Sequence, residues 1–305
     1  MTIKFQLTVI LKQAGLTQEK LASELTVSFP TLNSWINERS TPRASAQTKI
    51  AELYRKYTGD TGIPLSQLGK KYTLLLQKQK LYPRLLALIL KRPDLADEFM
   101  LSLTYHSNRM EGNTLTEDET ADVLFKKNPL PNKTFIEQLE VKNHQTALLY
   151  LWSHLRNDPL NESWILKIHG ILMNGIREDS GFYRNHAVRI VGSHVPTANY
   201  LKIPILMKEF VKRLPCKKGG NIFRQCAILH AEFEKIHPFS DGNGRVGRLL
   251  LQALLLKAGF APALIREEKK RLYYTFLRKA QLENDTSPLE DFIMDGVLDG
   301  YGLFE

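Results

Sequence analysis

Cysteine is almost absent: Cys216 and Cys226 are the two in 305 residues, and neither has a second Cys or a His at metal-ligand spacing. That excludes a disulfide scaffold and a zinc site, and both side chains read as reduced thiols, Cys226 as core. Long apolar runs are missing as well. The longest, residues 249–256, is broken by Gln252 and falls well short of the roughly 20 residues that span a bilayer. The opening MTIKFQLTVILKQAG is interrupted by Lys4, Lys12 and Gln13, unlike a secretory signal. A cytoplasmic protein with no membrane partner is expected. Repeats and low-complexity segments are also lacking. What is present is a globular composition, 43% hydrophobic and 24% charged. Its 42 Lys and Arg against 32 Asp and Glu leave a net +10, which favours an anionic partner: nucleic acid, nucleotide or an acidic protein.

Short helices separated by brief polar breaks fill the first 56 residues, and Tyr57-Thr-Gly-Asp-Thr-Gly-Ile-Pro64 reads as a connection. This predicts a small domain over 1–58, a linker over 59–70 and a large domain over 71–305. Within the large domain apolar residues recur at helical spacing over 75–90, 95–105, 135–155, 164–173 and 223–236. Residues 187–200 depart from this pattern. There β-branched and polar residues alternate around Gly192 and Ser193, which predicts a β-hairpin. The fold class is mainly α: a helical body with one β-flap, plus a small all-α domain.

The densest chemistry lies in Ile236-His-Pro-Phe-Ser-Asp-Gly-Asn-Gly-Arg-Val-Gly-Arg248, between two helical stretches. Gly242, Asn243 and Gly244 permit a tight turn whose N–H groups converge at the start of the next helix, an arrangement that binds phosphate. Arg245 and Arg248, three apart on the first turn, add planar donors for phosphate oxygens. Asp241 offers an oxygen ligand for Mg2+, and His237 a base titrating near neutrality.

These residues resemble the signature of the Fic family, His-Pro-Phe-x-Asp/Glu-Gly-Asn-Gly-Arg-x-x-Arg, at all nine fixed positions of twelve. The resemblance implies a helical fold with a flap beside the active loop and transfer of AMP from ATP to a Ser, Thr or Tyr hydroxyl of a protein. By resemblance His237 takes the hydroxyl proton, Asp241 holds Mg2+, and Gly242, Asn243, Gly244, Arg245 and Arg248 cradle the phosphates, with Phe239 anchoring the loop. Tyr273 and Tyr274 resemble residues of the helix that closes the nucleotide-base pocket. The segment Tyr105-His-Ser-Asn-Arg-Met-Glu-Gly-Asn113 resembles the family's inhibitory motif. It implies that Ser107, Glu111 and Gly112 form a brake in which Glu111 pairs with Arg248 and competes with the γ-phosphate. Removal of AMP, transfer of another phosphate-containing group, self-modification and a homodimer are all compatible with the resemblance.

In the small domain Thr17 starts one short helix, and Ser28 starts a second with Pro30 in its first turn, a helix-turn-helix. Gly15-Leu-Thr-Gln-Glu-Lys-Leu-Ala22, Val27-Ser28 and residues 32–35 resemble Cro and phage-repressor-like DNA-binding domains. The resemblance implies that Ser28, Phe29, Thr31, Asn33 and Ser34 line the reading helix while Gln18, Arg39 and Arg43 approach phosphates. Thr26 stands where that family usually has glycine, an unfavourable residue for a left-handed turn. The combined expectation is a self-inhibited protein adenylyltransferase with a DNA-binding module. The rival reading is a transcriptional regulator whose large domain senses nucleotide.

Overall fold

Among the described residues, threonine, serine or asparagine side chains cap seven of the fifteen α-helices. The computed structural model describes residues 2–59, 63–126, 129–190, 195–214 and 220–305. In the small domain Thr2, Thr17 and Ser28 cap α1 (Ile3–Ala14), α2 (Gln18–Leu25) and α3 (Phe29–Ile36), each accepting a backbone N–H three residues on. Such a cap contributes about 1 kcal/mol. α4 (Ala44–Thr58) packs along α1, and Leu7, Ile10, Leu21, Leu32 and Ile50 are completely buried in this domain. Thr26 does adopt the unfavourable left-handed turn, at φ 58°. Its hydroxyl donates to the Leu25 carbonyl at 2.6 Å and accepts from Lys49 Nζ at 2.8 Å, which offsets the strain.

Gly59 ends α4 at φ 75°, and α5 (Leu65–Leu81) starts directly after Pro64. The connection is therefore shorter than the expected 59–70, because burial of Leu68 extends the helix back toward the proline. Residues 60–62 of it lie outside the described residues. The body continues with α6 (Leu85–Lys91), α7 (Pro93–Met110), α8 (Glu117–Ala121), α9 (Phe135–His154) and α10 (Glu162–Leu172). It closes with α11 (Ile203–Val211), α12 (Ile222–Ile236), α13 (Asn243–Lys257), α14 (Lys270–Glu283) and α15 (Ser287–Gly302).

α13 is the axis of the body: it packs on α7, α9, α10 and α12, and residues 245–256 are all buried. Gln252 interrupts its apolar run without loss because both ends of the amide are satisfied. It donates to the Ala263 carbonyl at 2.9 Å and accepts from the Ala263 N–H at 2.8 Å. Cys226 is buried in this core, while Cys216 lies outside the described residues.

The expected hairpin over 187–200 is not borne out among the described residues. Residues 187–190 and 195–199 carry no strand, and 191–194 lie outside the described residues. The carbonyls of His186 and Ala198 accept from the Arg184 guanidinium, and the Val188 carbonyl accepts from the Thr197 hydroxyl at 2.9 Å. Side chains thus take acceptors that a ladder would have used.

Candidate active site

The loop between α12 and α13 is set by its first residue. His237 closes α12 in a left-handed conformation, φ 51° and ψ 62°, with its N–H on the Phe233 carbonyl at 2.9 Å. Its Nδ1 lies 3.3 Å from the Glu234 carbonyl. A carbonyl only accepts, so Nδ1 carries the proton and Nε2 keeps its lone pair. Desolvation holds the imidazole below the ordinary histidine range; the Glu234 carbonyl, Glu111 and Asp241 oppose this and the Arg184 charge reinforces it. At neutral pH His237 is a neutral base.

Phe239 anchors the loop, wholly buried and stacked on His169 with ring centroids 3.7 Å apart and planes 5° from parallel. Burying such a ring stabilises the loop by about 2 kcal/mol. Asn243 folds the loop back on that anchor: its Oδ1 accepts from the Phe239 N–H at 2.9 Å and its Nδ2 donates to the Phe239 carbonyl at 2.8 Å. Its amide side chain therefore shapes the cradle and is not free to line it. His169 Nδ1 accepts from the Gly181 N–H at 2.9 Å, so its Nε2–H donates to the Asp241 carbonyl at 3.1 Å. Desolvation pushes His169 down to about 4, which keeps this tautomer neutral. Gly242, at φ 77°, must lack a side chain because a Cβ would lie 2.8 Å from Met173 Sδ. The Asp241 carboxylate accepts from the Gly242 N–H at 2.6 Å, sits 3.6 Å from Arg245 and remains 53% exposed.

Both arginines are buried and held from outside the loop. Arg245 Nη1 donates to Glu140 on α9 at 2.6 Å. Arg248 Nε donates to the Ser107 hydroxyl at 2.9 Å, and its Nη2 donates to the Ser107 carbonyl at 2.9 Å and to Glu111 Oε1 at 2.6 Å. Glu111 is the C-cap of α7, so the segment singled out in the sequence does bring its carboxylate onto Arg248. Desolvation alone would raise the Glu111 carboxyl, but the Arg248 charge and hydrogen bond, aided by Arg245 and Lys270, hold it below its ordinary value. A Cβ on Gly244 would overlap Glu111 Oε1, which places the carboxylate against the amides that open α13. Gly112, at φ 103°, turns the chain away after α7.

Tyr273 lies within electrostatic reach of Arg248 and Glu111 but is closed off from solvent. It is 1% exposed with its hydroxyl 2.6 Å from His230 Nε2, a core residue whose oxygen is already bonded. Tyr274 stays 37% exposed and within electrostatic reach of Arg248 and Glu111. In the small domain Phe29, Ser28, Arg39 and Arg43 are exposed, while Gln18, Thr31, Asn33 and Ser34 are half-buried. Ser28 and Thr31 hydroxyls lie 2.8 Å apart, Asn33 donates to Gln18 at 3.2 Å, and Ser34 meets Ser40 at 2.8 Å.

Residues 159–255 match the Fic/DOC family and residues 9–60 the helix-turn-helix family. The chain carries a Fic domain. Protein adenylyltransferase Fic of Aedes aegypti is 34% identical over 196 residues, 63% of this chain and 39% of that protein. Its namesake in Nematostella vectensis is 34% identical over 194 residues, 62% of this chain and 45% of that one. The chain thus spans less than half the length of these curated relatives. The fold resembles Fic-1 from C. elegans, with a TM-score of 0.68 at 21% identity over 93% of this chain and 83% of the other. It also resembles a Fic-domain signaling protein of Bacteroides thetaiotaomicron, with 0.63 at 24% identity over 78% and 96%. Arg184, Glu140, His169 and Glu234 of the Fic-domain site escaped the sequence reading. His169 had a signal, a polar residue on the buried stripe of Ile165, Ile168 and Leu172; Arg184 had none.

Proposed function

We propose that the chain is a self-inhibited protein adenylyltransferase that moves AMP from ATP to a Ser, Thr or Tyr hydroxyl, joined to a DNA-binding module. The observation that carries this reading is a neutral His237 with a free Nε2 at one end of a preformed loop whose other end opens the amides of α13 beside two buried arginines. His237 Nε2 takes the proton of the target hydroxyl, the oxygen attacks the α-phosphate, and the bond to the β-phosphate breaks as pyrophosphate leaves. The N–H groups of residues 243 and 244, Arg245 and Arg248 hold the phosphate oxygens. The exposed, singly hydrogen-bonded Asp241 carboxylate fits Mg2+, which takes one or two protein carboxylates and completes its shell with phosphate and water. When bound, Mg2+ would neutralise charge on the α- and β-phosphates. An extended target segment docks along residues 187–190 and 195–200, before the loop.

The Glu111–Arg248 pair supports self-inhibition. Its carboxylate occupies the guanidinium that would hold the γ-phosphate and lies against Gly244, so ATP must displace it. Incubation of Glu111→Gly protein with Mg2+ and α-labelled ATP, alone and with cell extract, tests both points. Labelled protein is expected, with wild type weaker and Glu111→Gly/His237→Ala unlabelled, a loss of about 100-fold or more. Equal labelling by wild type and Glu111→Gly would remove the brake from the reading, and labelling in the double variant would remove the base. For the small domain the reading is DNA contact through the exposed side of α3, and its gel shift is expected to weaken steeply with salt.

A further inference from the structure

We infer that Arg184 is a positioning residue that locks the target-docking segment and the catalytic base into one rigid frame. This deepens the transfer reading above and rests on it. Arg184 is 3% exposed, and among the described residues no carboxylate pairs with it. Its Nε donates to the carbonyl of His237 at 2.8 Å, its Nη1 to that of His186 at 2.6 Å and its Nη2 to that of Ala198 at 2.6 Å. Its own N–H donates to the Pro238 carbonyl at 3.0 Å. One planar fork thus joins three chain segments: the base itself, the approach to residues 187–190 and the return through residues 195–199.

A buried cation without a counter-charge persists only where oriented dipoles replace its water. Here all three side-chain nitrogens face carbonyl oxygens, and those carbonyls belong to the parts that a transfer reaction must hold at fixed separation. The target hydroxyl has to lie within hydrogen-bond reach of His237 Nε2. A shift of about 1 Å lowers such rates by roughly 100-fold. Neither residues 187–190 nor residues 195–199 can move against His237 without straining an Arg184 bond, and Thr197 ties the two together through the Val188 carbonyl. The charged groups acting on the His237 ring are Arg184, which favours its neutral form, and Glu111 and Asp241, which oppose it.

The test uses the full chain in the Glu111→Gly background with Arg184→Met and Arg184→Lys added separately. Three quantities are read: the single-turnover rate of label transfer from Mg2+ and α-labelled ATP, ATP affinity by equilibrium dialysis, and the His237 titration midpoint by NMR. Arg184→Met is expected to slow transfer about 100-fold, to change ATP affinity less than about twofold because the cradle is untouched, and to raise the His237 midpoint. Arg184→Lys, which keeps the charge but cannot span three carbonyls, should return the midpoint toward the parent while transfer stays slow. A parental rate in either variant overturns the inference, as does a rate that falls only in step with ATP affinity. If the Glu111→Gly parent transfers no nucleotide, the transfer reading fails. The frame is then read by amide hydrogen exchange: quickened in residues 195–199 by Arg184→Met it supports the inference, and unchanged it overturns it.

Discussion

Glu234 sits one turn before His237 with 6% exposure and a buried Oε1 that no group satisfies. Desolvation pushes its carboxyl up to about 8, with Glu111 adding to the rise and Arg248 opposing it, so it is protonated at neutral pH. Because the folded value lies above the unfolded one, its contribution to stability is complete below about 4.5 and is lost as the pH rises through about 8. Buried His144 and His230, held down to about 3 by desolvation, act in the opposite sense, destabilising the fold as pH falls below the free histidine value. Glu234→Gln removes one term and keeps the other. The melting temperature of the variant minus that of wild type should therefore climb between pH 5 and pH 8 and level off above; a constant difference would show that Glu234 is ionised throughout. Protonation states of this kind were not legible in the sequence, because the environment of Glu234 comes from Gly247, Arg248 and Glu111 on other elements. His237, Asp241, Arg245 and Arg248 were legible because twelve consecutive residues carry them.

At the scale of the element, the active loop is a closed ring in which Asn243 grips both backbone groups of Phe239 and Phe239 in turn is pinned by His169. Asn243→Ala leaves a buried N–H and a buried carbonyl without partners, a loss of about 2–4 kcal/mol. The expected outcome is a lower urea midpoint together with weaker ATP binding, since the 243 and 244 amides lose their aim. Unchanged ATP affinity would mean that the helix start alone sets the cradle. Helix positions were readable from capping residues such as Thr17 and Ser28, whose effect is local. The 187–200 segment shows the converse. Its alternation is that of a hairpin, but the described residues 187–190 and 195–199 carry no strand, and Arg184 takes the carbonyls of His186 and Ala198.

At the scale of the whole molecule, the two modules share a helix. α14 carries Tyr273 and Tyr274 toward the Fic core and meets α1 and α4 of the small domain. The contact is made at backbone level. A Cβ on Gly15, at φ 62°, would overlap the Glu268 carbonyl, and the Gly59 carbonyl accepts from Lys279 Nζ. Next to that contact the Glu267 N–H donates to His106 Nδ1 at 3.3 Å, beside Ser107. Gly15→Ala should destabilise the chain by about 1–3 kcal/mol through overpacking and backbone strain. Hydrogen exchange is expected to quicken in α1 and α14 and to stay unchanged in α9 and α10. Equal quickening everywhere would mean that the contact does not divide the molecule into two parts. No helix of the described residues is long and apolar enough to cross a membrane.

The absent side chain of Gly244 has a genetic consequence. Any larger residue there would push Glu111 off Arg248, but it would also fill the space that a phosphate must enter. Changing Arg248 likewise removes brake and cradle together. On the proposed reading, activating alleles can therefore arise on one side of this contact only. A selection for hyperactive mutants should return changes at Ser107 and Glu111 and none at 244 or 248, and a single activating substitution at 244 would show that the carboxylate and the phosphate do not share that space.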